Sequence, residues 1–90
     1  DRTYTYKDFQ LKTYSKTNNG AEYVSEIRFR SNKAVTKEGI RIGSSLKDVT
    51  KKYGKAKARF GVYTFKKGSS KLQIMLNGNK VSAIRYFASK

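Results

Sequence analysis

Large and polar side chains alternate with a period of two along most of this chain, a pattern typical of half-buried β-strands. In the clearest stretch, residues 22–30, the alternation places Val24 on the face opposite Ile27. The other stretches of this kind are residues 1–14, 59–66, 71–76 and 81–88. The alternation in residues 1–14 changes phase at Lys7-Asp8, where we expect a β-bulge or a tight turn. The predicted turns between strands include Asn19-Gly20 and Asn77-Gly78.

One short stretch follows a helical period instead. Leu46, Val49 and Tyr53 are spaced i, i+3 and i+7, so they line one face of a helix. Ser45 is a suitable N-cap, with Asp48 three residues later in place of the more usual Glu, and Gly54 can end the helix with a positive φ. These signals predict a helix of about two turns over residues 46–53, which is too short to be stable alone and must pack on a sheet.

The chain also contains an internal repeat. Residues 24–29, Val-Ser-Glu-Ile-Arg-Phe, recur as Val-Ser-Ala-Ile-Arg-Tyr in residues 81–86, and four of the six positions are identical. In the same way Tyr-Thr-Tyr-Lys at 4–7 recurs as Tyr-Thr-Phe-Lys at 63–66, and Phe-Gln-Leu at 9–11 as Leu-Gln-Ile at 72–74. Hairpins of similar composition resemble one another by chance, which is the alternative. The repeat favours a sheet with approximate pseudo-symmetry around the helix.

These patterns predict a single α+β domain over residues 1–90. We expect an antiparallel sheet of about five strands, because hairpin turns favour antiparallel pairing. The predicted order of elements is β-β-α-β-β-β, with the one short helix packed on one face of the sheet. Because the chain starts at Asp1 rather than Met, we expect it to be the mature part or a fragment of a longer protein.

The composition argues against catalysis. The 90 residues include no Cys, His, Pro or Trp, so disulfides, thiol nucleophiles, imidazole bases and Cys/His metal sites are excluded. The six acidic residues show no Asp-x-Asp or Glu-x-x-Glu spacing, and the segment Gly39-Ile-Arg-Ile-Gly43 lacks the glycine density of a phosphate-binding loop. We therefore expect a domain that is not an enzyme and uses no cofactor and no metal.

The charge is high and unevenly distributed. The formal net charge is +15, and residues 49–90 contain eleven Lys and Arg residues and no acid. Such a field attracts anionic partners: an acidic protein, nucleic acid, an anionic lipid surface or a wall polymer. No apolar run approaches the ~18 residues of a membrane span, so no transmembrane segment is expected.

The sheet face opposite the helix is the predicted binding surface. The candidate binding residues on it are Phe60, Val62, Met75, Ala83 and Phe87, surrounded by Lys12, Arg28, Arg30, Lys66, Lys71 and Arg85. An apolar group with a cationic rim is typical of a protein interface, and this is the favoured interpretation. Three alternatives remain open: a contact with a neighbouring domain of a longer protein, isolated surface residues without a role, and binding of an anionic polymer by the same cations.

Residues 43–56 resemble a known family signature. The segment Gly43-Ser-Ser-Leu-Lys-Asp-Val49, followed by Tyr53-Gly54-Lys-Ala56, is similar to the helix signature of BLIP-like and SmpA/OmlA-like envelope domains, as in uncharacterised lipoproteins of Gram-positive bacteria. The chain departs from the signature at Ala56, where Pro is usual, and in having strands before the helix. The resemblance implies a secreted or cell-envelope location and a binding role without catalysis, and it indicates no ligand.

Overall fold

The computed structural model describes residues 2–15, 21–55, 58–68 and 70–88. Within these ranges the chain forms six strands and one helix. The predicted α+β arrangement with an antiparallel sheet is confirmed. The elements are β1 (Arg2–Thr5), β2 (Phe9–Tyr14), β3 (Tyr23–Phe29), α1 (Leu46–Tyr53), β4 (Val62–Lys67), β5 (Ser70–Asn77) and β6 (Lys80–Phe87). The predicted turn at Asn19-Gly20 lies outside the described residues, whereas Gly78 forms the β5–β6 turn with a φ of 64°.

The number and order of strands differ from the prediction. The phase change at Lys7-Asp8 is a tight turn, in which Tyr6 N donates to Phe9 O at 2.8 Å, so residues 2–14 form two strands rather than one. The observed order is therefore β-β-β-α-β-β-β. Because the chain reverses at this turn, Tyr4 and Leu11 lie directly opposite each other and share one face of the sheet.

The sheet consists of two three-stranded halves joined at its centre. The strand order is β1-β2-β3-β6-β5-β4, and β3 pairs with β6. We call β1–β3 the first half and β4–β6 the second half. The rows Tyr4–Leu11–Ile27 and Tyr63–Ile74–Ile84 occupy equivalent positions of the two halves. The sequence repeat thus corresponds residue by residue to a structural repeat with the same register.

Both halves contain a β-bulge at the same position of the repeat. Lys12 pairs with Glu26 and Thr13 with Val24, which leaves Ser25 as the extra residue of the bulge. In the second half the register shifts in the same way and Ser82 is the extra residue. Each serine hydroxyl donates to a backbone carbonyl oxygen of the paired strand. Ser25 donates to Lys12 O at 3.1 Å, and Ser82 donates to Met75 O at 3.3 Å.

The bulge overturns one prediction about faces. An extra residue shifts the alternation by one position, so Val24 lies opposite Thr13 and on the same face as Ile27. The unbroken alternation expected from the sequence had placed Val24 with Glu26. The equivalent shift brings Val81 into the core beside Ile84.

Helix α1 has the predicted limits and covers the second half. Ser45 has extended dihedrals and its hydroxyl accepts from Asp48 N at 3.1 Å, which satisfies one free N–H of the first turn. Gly54 has a φ of 87°, a conformation that favours glycine, and its N–H donates to Thr50 O. The buried core comprises Ile40, Val49, Ile74, Val81 and Ile84, which come from α1, the segment before it and the second half.

We call the surface opposite α1 the reverse face. None of the described residues on this face belongs to the buried core. Met75 there is 39 % exposed, and the Arg28 side chain is 40 % exposed. The reverse face is therefore accessible, as the sequence analysis expected.

Candidate functional site

A polar row crosses all six strands in the middle of the reverse face. This arginine row consists of Thr5, Gln10, Arg28, Arg85, Gln73 and Thr64, in the order of the strands. Each half contributes the same three residue types at equivalent positions. Arg28 and Arg85 are therefore paired across the centre of the sheet, at the point where the two halves are related by a pseudo-twofold axis.

The centre of the arginine row has an excess of positive charge. Arg28 and Arg85 are direct cross-strand neighbours, and like charges in this position destabilise a sheet. Glu26 offsets part of the charge, with 3.8 Å between its Oε2 and Arg28 Nη2, but it is shared with Lys12 at 4.0 Å. Two buried atoms, Arg28 Nε and Glu26 Oε2, have no hydrogen-bond partner among the described residues. The remaining excess of positive charge at the surface of the row would be compensated by an acidic group from outside the chain.

An apolar group lies beside one end of this row. Val62, Met75 and Ala83 are cross-strand neighbours on β4, β5 and β6. Each lies two residues along its strand from a member of the arginine row. The turn before β4 is held against β5, since Leu76 N donates to Gly61 O at 3.5 Å. We call Val62, Met75 and Ala83, together with Phe60 in the turn that leads into β4, the apolar corner.

Phe60 occupies a turn, not the strand that the sequence predicted. Arg59 and Val62 exchange two backbone hydrogen bonds of 2.9 and 3.0 Å around a two-residue loop. Phe60 has a φ of 53° and Gly61 a φ of 77°, so both central residues are left-handed, which is the combination of a type I′ turn. The Phe60 side chain is fully exposed, at 102 %. The signal that marks this turn in the sequence is Gly61 alone, which interrupts the alternation.

Phe87 lies on the other side of the arginine row. Its row consists of Thr3, Lys12, Glu26, Phe87, Lys71 and Lys66. The Phe87 ring is half-buried, and Lys71 Nζ lies 5.5 Å from its centroid. Phe87 and the apolar corner thus lie on opposite sides of the arginine row, whereas the alternation in the sequence predicts a single group.

Arg30 lies at the end of the sheet rather than within β3. Its backbone N donates to Asp8 O at 2.8 Å, and its guanidinium donates to Tyr6 O. These bonds fix Arg30 to the turn between β1 and β2. Of the predicted cations, Arg28 and Arg85 are therefore central on the reverse face, and Arg30 is peripheral.

Sequence reasoning missed a groove on the helix side of the sheet. A cavity of about 930 Å³ lies between the sheet, the segment 35–38 and the C-terminal end of α1. Tyr53 lines it, and burial raises the pKa of Tyr53 to about 12, with the Glu38 carboxylate acting in the same direction. The lining residues come from segments far apart in the chain, so no local spacing in the sequence marks the groove.

The described residues contain no cluster of three or more acidic, His or Cys side chains that could hold a metal ion. None of the helical segments in the described ranges has the length and apolar character that a membrane span requires. Comparisons of the chain with family models, curated proteins and solved structures gave no match. The resemblance to BLIP-like and SmpA/OmlA-like domains stays a prediction.

Proposed function

We propose that this domain is a non-catalytic binding module that recognises an acidic protein through the apolar corner and the arginine row. The observation that carries the proposal is the conformation of Phe60. Its ring is fully exposed and its backbone is left-handed. A bulky residue in this region of φ and ψ costs about 1–2 kcal/mol, and an exposed ring contributes no packing that would offset the cost.

Asparagine fits the same turn position without this cost. The first central residue of a type I′ turn is commonly Asn or Asp, followed by Gly, and Gly61 is present here. The strained and exposed position of Phe60 favours the hypothesis that it contacts another molecule. Exposed aromatic residues are frequent energetic hot spots of protein interfaces.

The arginine row supplies the polar part of the same interface. Carboxylates of a partner placed over Arg28 and Arg85 would compensate the like-charge pair at the centre of the sheet. The apolar corner and the row are adjacent, so one partner can contact both. A compact apolar group next to charged residues is the usual composition of a specific protein interface.

We also propose that the domain acts outside the cytoplasm, in the secreted space or cell envelope of a Gram-positive bacterium. This part of the proposal is supported only by the resemblance of residues 43–56 to envelope domains. The partner in that setting is either a separate protein or a neighbouring domain of the same polypeptide.

A second candidate function is binding of an anionic polymer: a wall polymer, an anionic lipid surface or nucleic acid. It is favoured by the net charge of +15 and by the absence of acids from residues 49–90. For this class the arginine row and the surrounding lysines would act together, and Phe60 would be dispensable.

The variant Phe60→Asn tests the first candidate function, because it removes the ring while improving the turn. Immobilised wild-type domain and variant are compared for proteins retained from culture supernatant or envelope extract. We expect a protein retained by the wild type to be lost with Phe60→Asn and kept with Val24→Asn, which changes an exposed apolar residue of the opposite face. Equal retention by all three proteins would contradict the proposal.

Salt dependence separates the two candidate functions. Polyanion binding weakens steeply between about 0.15 M and 0.5 M salt, because counterions are released on binding. Heparin and DNA columns run at these concentrations give the slope for wild type, Phe60→Asn and Arg85→Gln. Binding of an anionic polymer is supported if column retention of the wild type and of Phe60→Asn falls steeply with salt and Arg85→Gln is retained more weakly than both. Retention that vanishes at modest salt, without a captured protein, indicates non-specific charge.

A further inference from the structure

The groove on the helix side has a continuous apolar floor. Ile27, Tyr86, Leu72 and Phe65 are cross-strand neighbours in one row that spans β3, β6, β5 and β4. All four are half-buried, and all four line the groove. Helix α1 leaves this row partly open. The four residues of the row are only half-buried, whereas Ile74 and Ile84 on the next row of the sheet are fully buried.

The wall of the groove is held in place by polar and aromatic contacts. The Tyr53 ring stacks on Phe65 with 5.1 Å between ring centroids. Its hydroxyl lies 2.8 Å from Thr36 Oγ1 and 2.9 Å from Glu38 Oε1, so α1 is tied to the segment 35–38. Val35 also lines the groove and is 40 % exposed. These contacts fix the position of the groove wall relative to its floor.

The rim of the groove is positively charged. Lys37, Lys52 and Lys55 are exposed and belong to its lining. Glu38 is the one acid among the described lining residues, and its carboxylate already contacts the Tyr53 hydroxyl. Apolar floor and cationic rim together favour a ligand that is apolar over most of its length and negative at one end.

We propose that this groove binds an amphipathic anion, a small molecule with an apolar body and a single carboxylate or phosphate. The volume of about 930 Å³ is within the range of small-molecule sites in proteins. The apolar body lies on the row from Ile27 to Phe65, and the anionic group faces the lysines of the rim. The proposal does not depend on the proposed function, because neither the apolar corner nor the two arginines of the arginine row line the groove.

Four probes test which parts of the ligand are required. Decanoate carries the chain and the negative charge, decyltrimethylammonium the chain with a positive charge, a decyl glycoside the chain without charge, and acetate the charge without a chain. Titrations are followed by amide chemical shifts of the whole domain and by calorimetry. We expect saturable shifts with decanoate at Tyr53, Phe65, Leu72 and Tyr86, and none there with acetate or the cation. Weak shifts with the glycoside agree with the proposal; equal affinity for the cation, or decanoate shifts confined to other residues, would overturn it.

Two pairs of variants assign the binding to the groove. Lys52→Glu and Lys47→Glu both reverse an exposed charge on α1, but only Lys52 lines the groove. We expect Lys52→Glu to weaken decanoate binding about fivefold and Lys47→Glu to change it less than about twofold. Val35→Asp and Val24→Asp form the second pair, with similar exposure in the wild type. Equal effects within both pairs would show that decanoate responds only to net charge and would refute the site.

Discussion

The two halves of the sheet share a register, a bulge and a serine that bonds across the bulge, but they differ in what covers them. Val81 is 2 % exposed beneath the helix side of the second half, whereas its counterpart Val24 is 37 % exposed in the first half. Ile84 is fully buried, and its counterpart Ile27 is half-buried. The strand sequences are alike, so the difference in burial follows from the connection between the halves, whose buried residues Ile40 and Val49 belong to a core with residues of the second half.

The comparison teaches that similar strands need not contribute equally to stability. Hydrophobic stabilisation follows the apolar area removed from water, and in the second half α1 and Ile40 remove most of it. The first half is held by its strand pairing and by polar contacts such as those of Glu22 with Tyr4 at 2.9 Å and Thr13 at 3.1 Å. We expect the free energy of unfolding to be concentrated in the second half.

The largest expected difference between the halves is at the paired isoleucines. Ile84→Ala should lower the free energy of unfolding by about 3 kcal/mol, because it leaves a cavity in a closed core. Ile27→Ala should lower it by about 1 kcal/mol, since solvent already reaches that side chain. Denaturant-induced unfolding of the two variants gives both values. Losses of equal size would mean that the first half is covered as well as the second.

A smaller difference, of opposite sign, is expected at the bulge serines. Ser25→Ala should cost about 1 kcal/mol, because its hydrogen bond is part-buried. Ser82→Ala should cost about 0.5 kcal/mol, since its bond is longer and exposed. Chemical denaturation at one temperature compares them. A greater loss for Ser82→Ala would show that coverage of the second half also strengthens its bulge.

An effect confined to alkaline pH concerns Tyr53, which belongs to the cover of the second half and has no counterpart in the first. Its pKa is raised from 10.0 to about 12, chiefly by burial. The unfolded chain therefore loses this proton first, and the free energy of unfolding falls as the pH rises between these two values. Tyr53→Phe should remove that part of the decline. It should also remove the component of the tyrosinate absorbance that titrates with a pKa of about 12; an unchanged titration curve would contradict the assignment.

Local signals were sufficient for part of this fold. The helix limits were predicted because Ser45 and Gly54 act on their immediate neighbours, and the repeat was visible because register is preserved between the halves. The extra strand was missed because a phase change at Lys7-Asp8 is the same for a bulge and for a turn. The unbroken alternation predicts the wrong face for Val24, because a serine within a strand does not by itself indicate a bulge.

The candidate sites were less accessible to sequence reasoning. Alternation placed Arg28 and Arg85 on one face, but their direct pairing depends on how β3 meets β6, which no local pattern encodes. The alternation of its neighbours predicts a strand at Phe60. In the structure, the positive φ values of Phe60 and Gly61 place Phe60 in a turn instead. The groove combines β3, β4, β5, β6 and α1, so its shape follows from tertiary packing alone.

The pairing of Arg28 with Arg85 has a consequence for how such a chain is assembled. Two equivalent strands that run in opposite directions and meet at the same residue form a self-complementary contact. This is the geometry by which identical subunits join in a twofold dimer. The middle of the sheet therefore has the geometry of an isologous interface, with both of its sides supplied by one polypeptide and joined by the connection that contains α1.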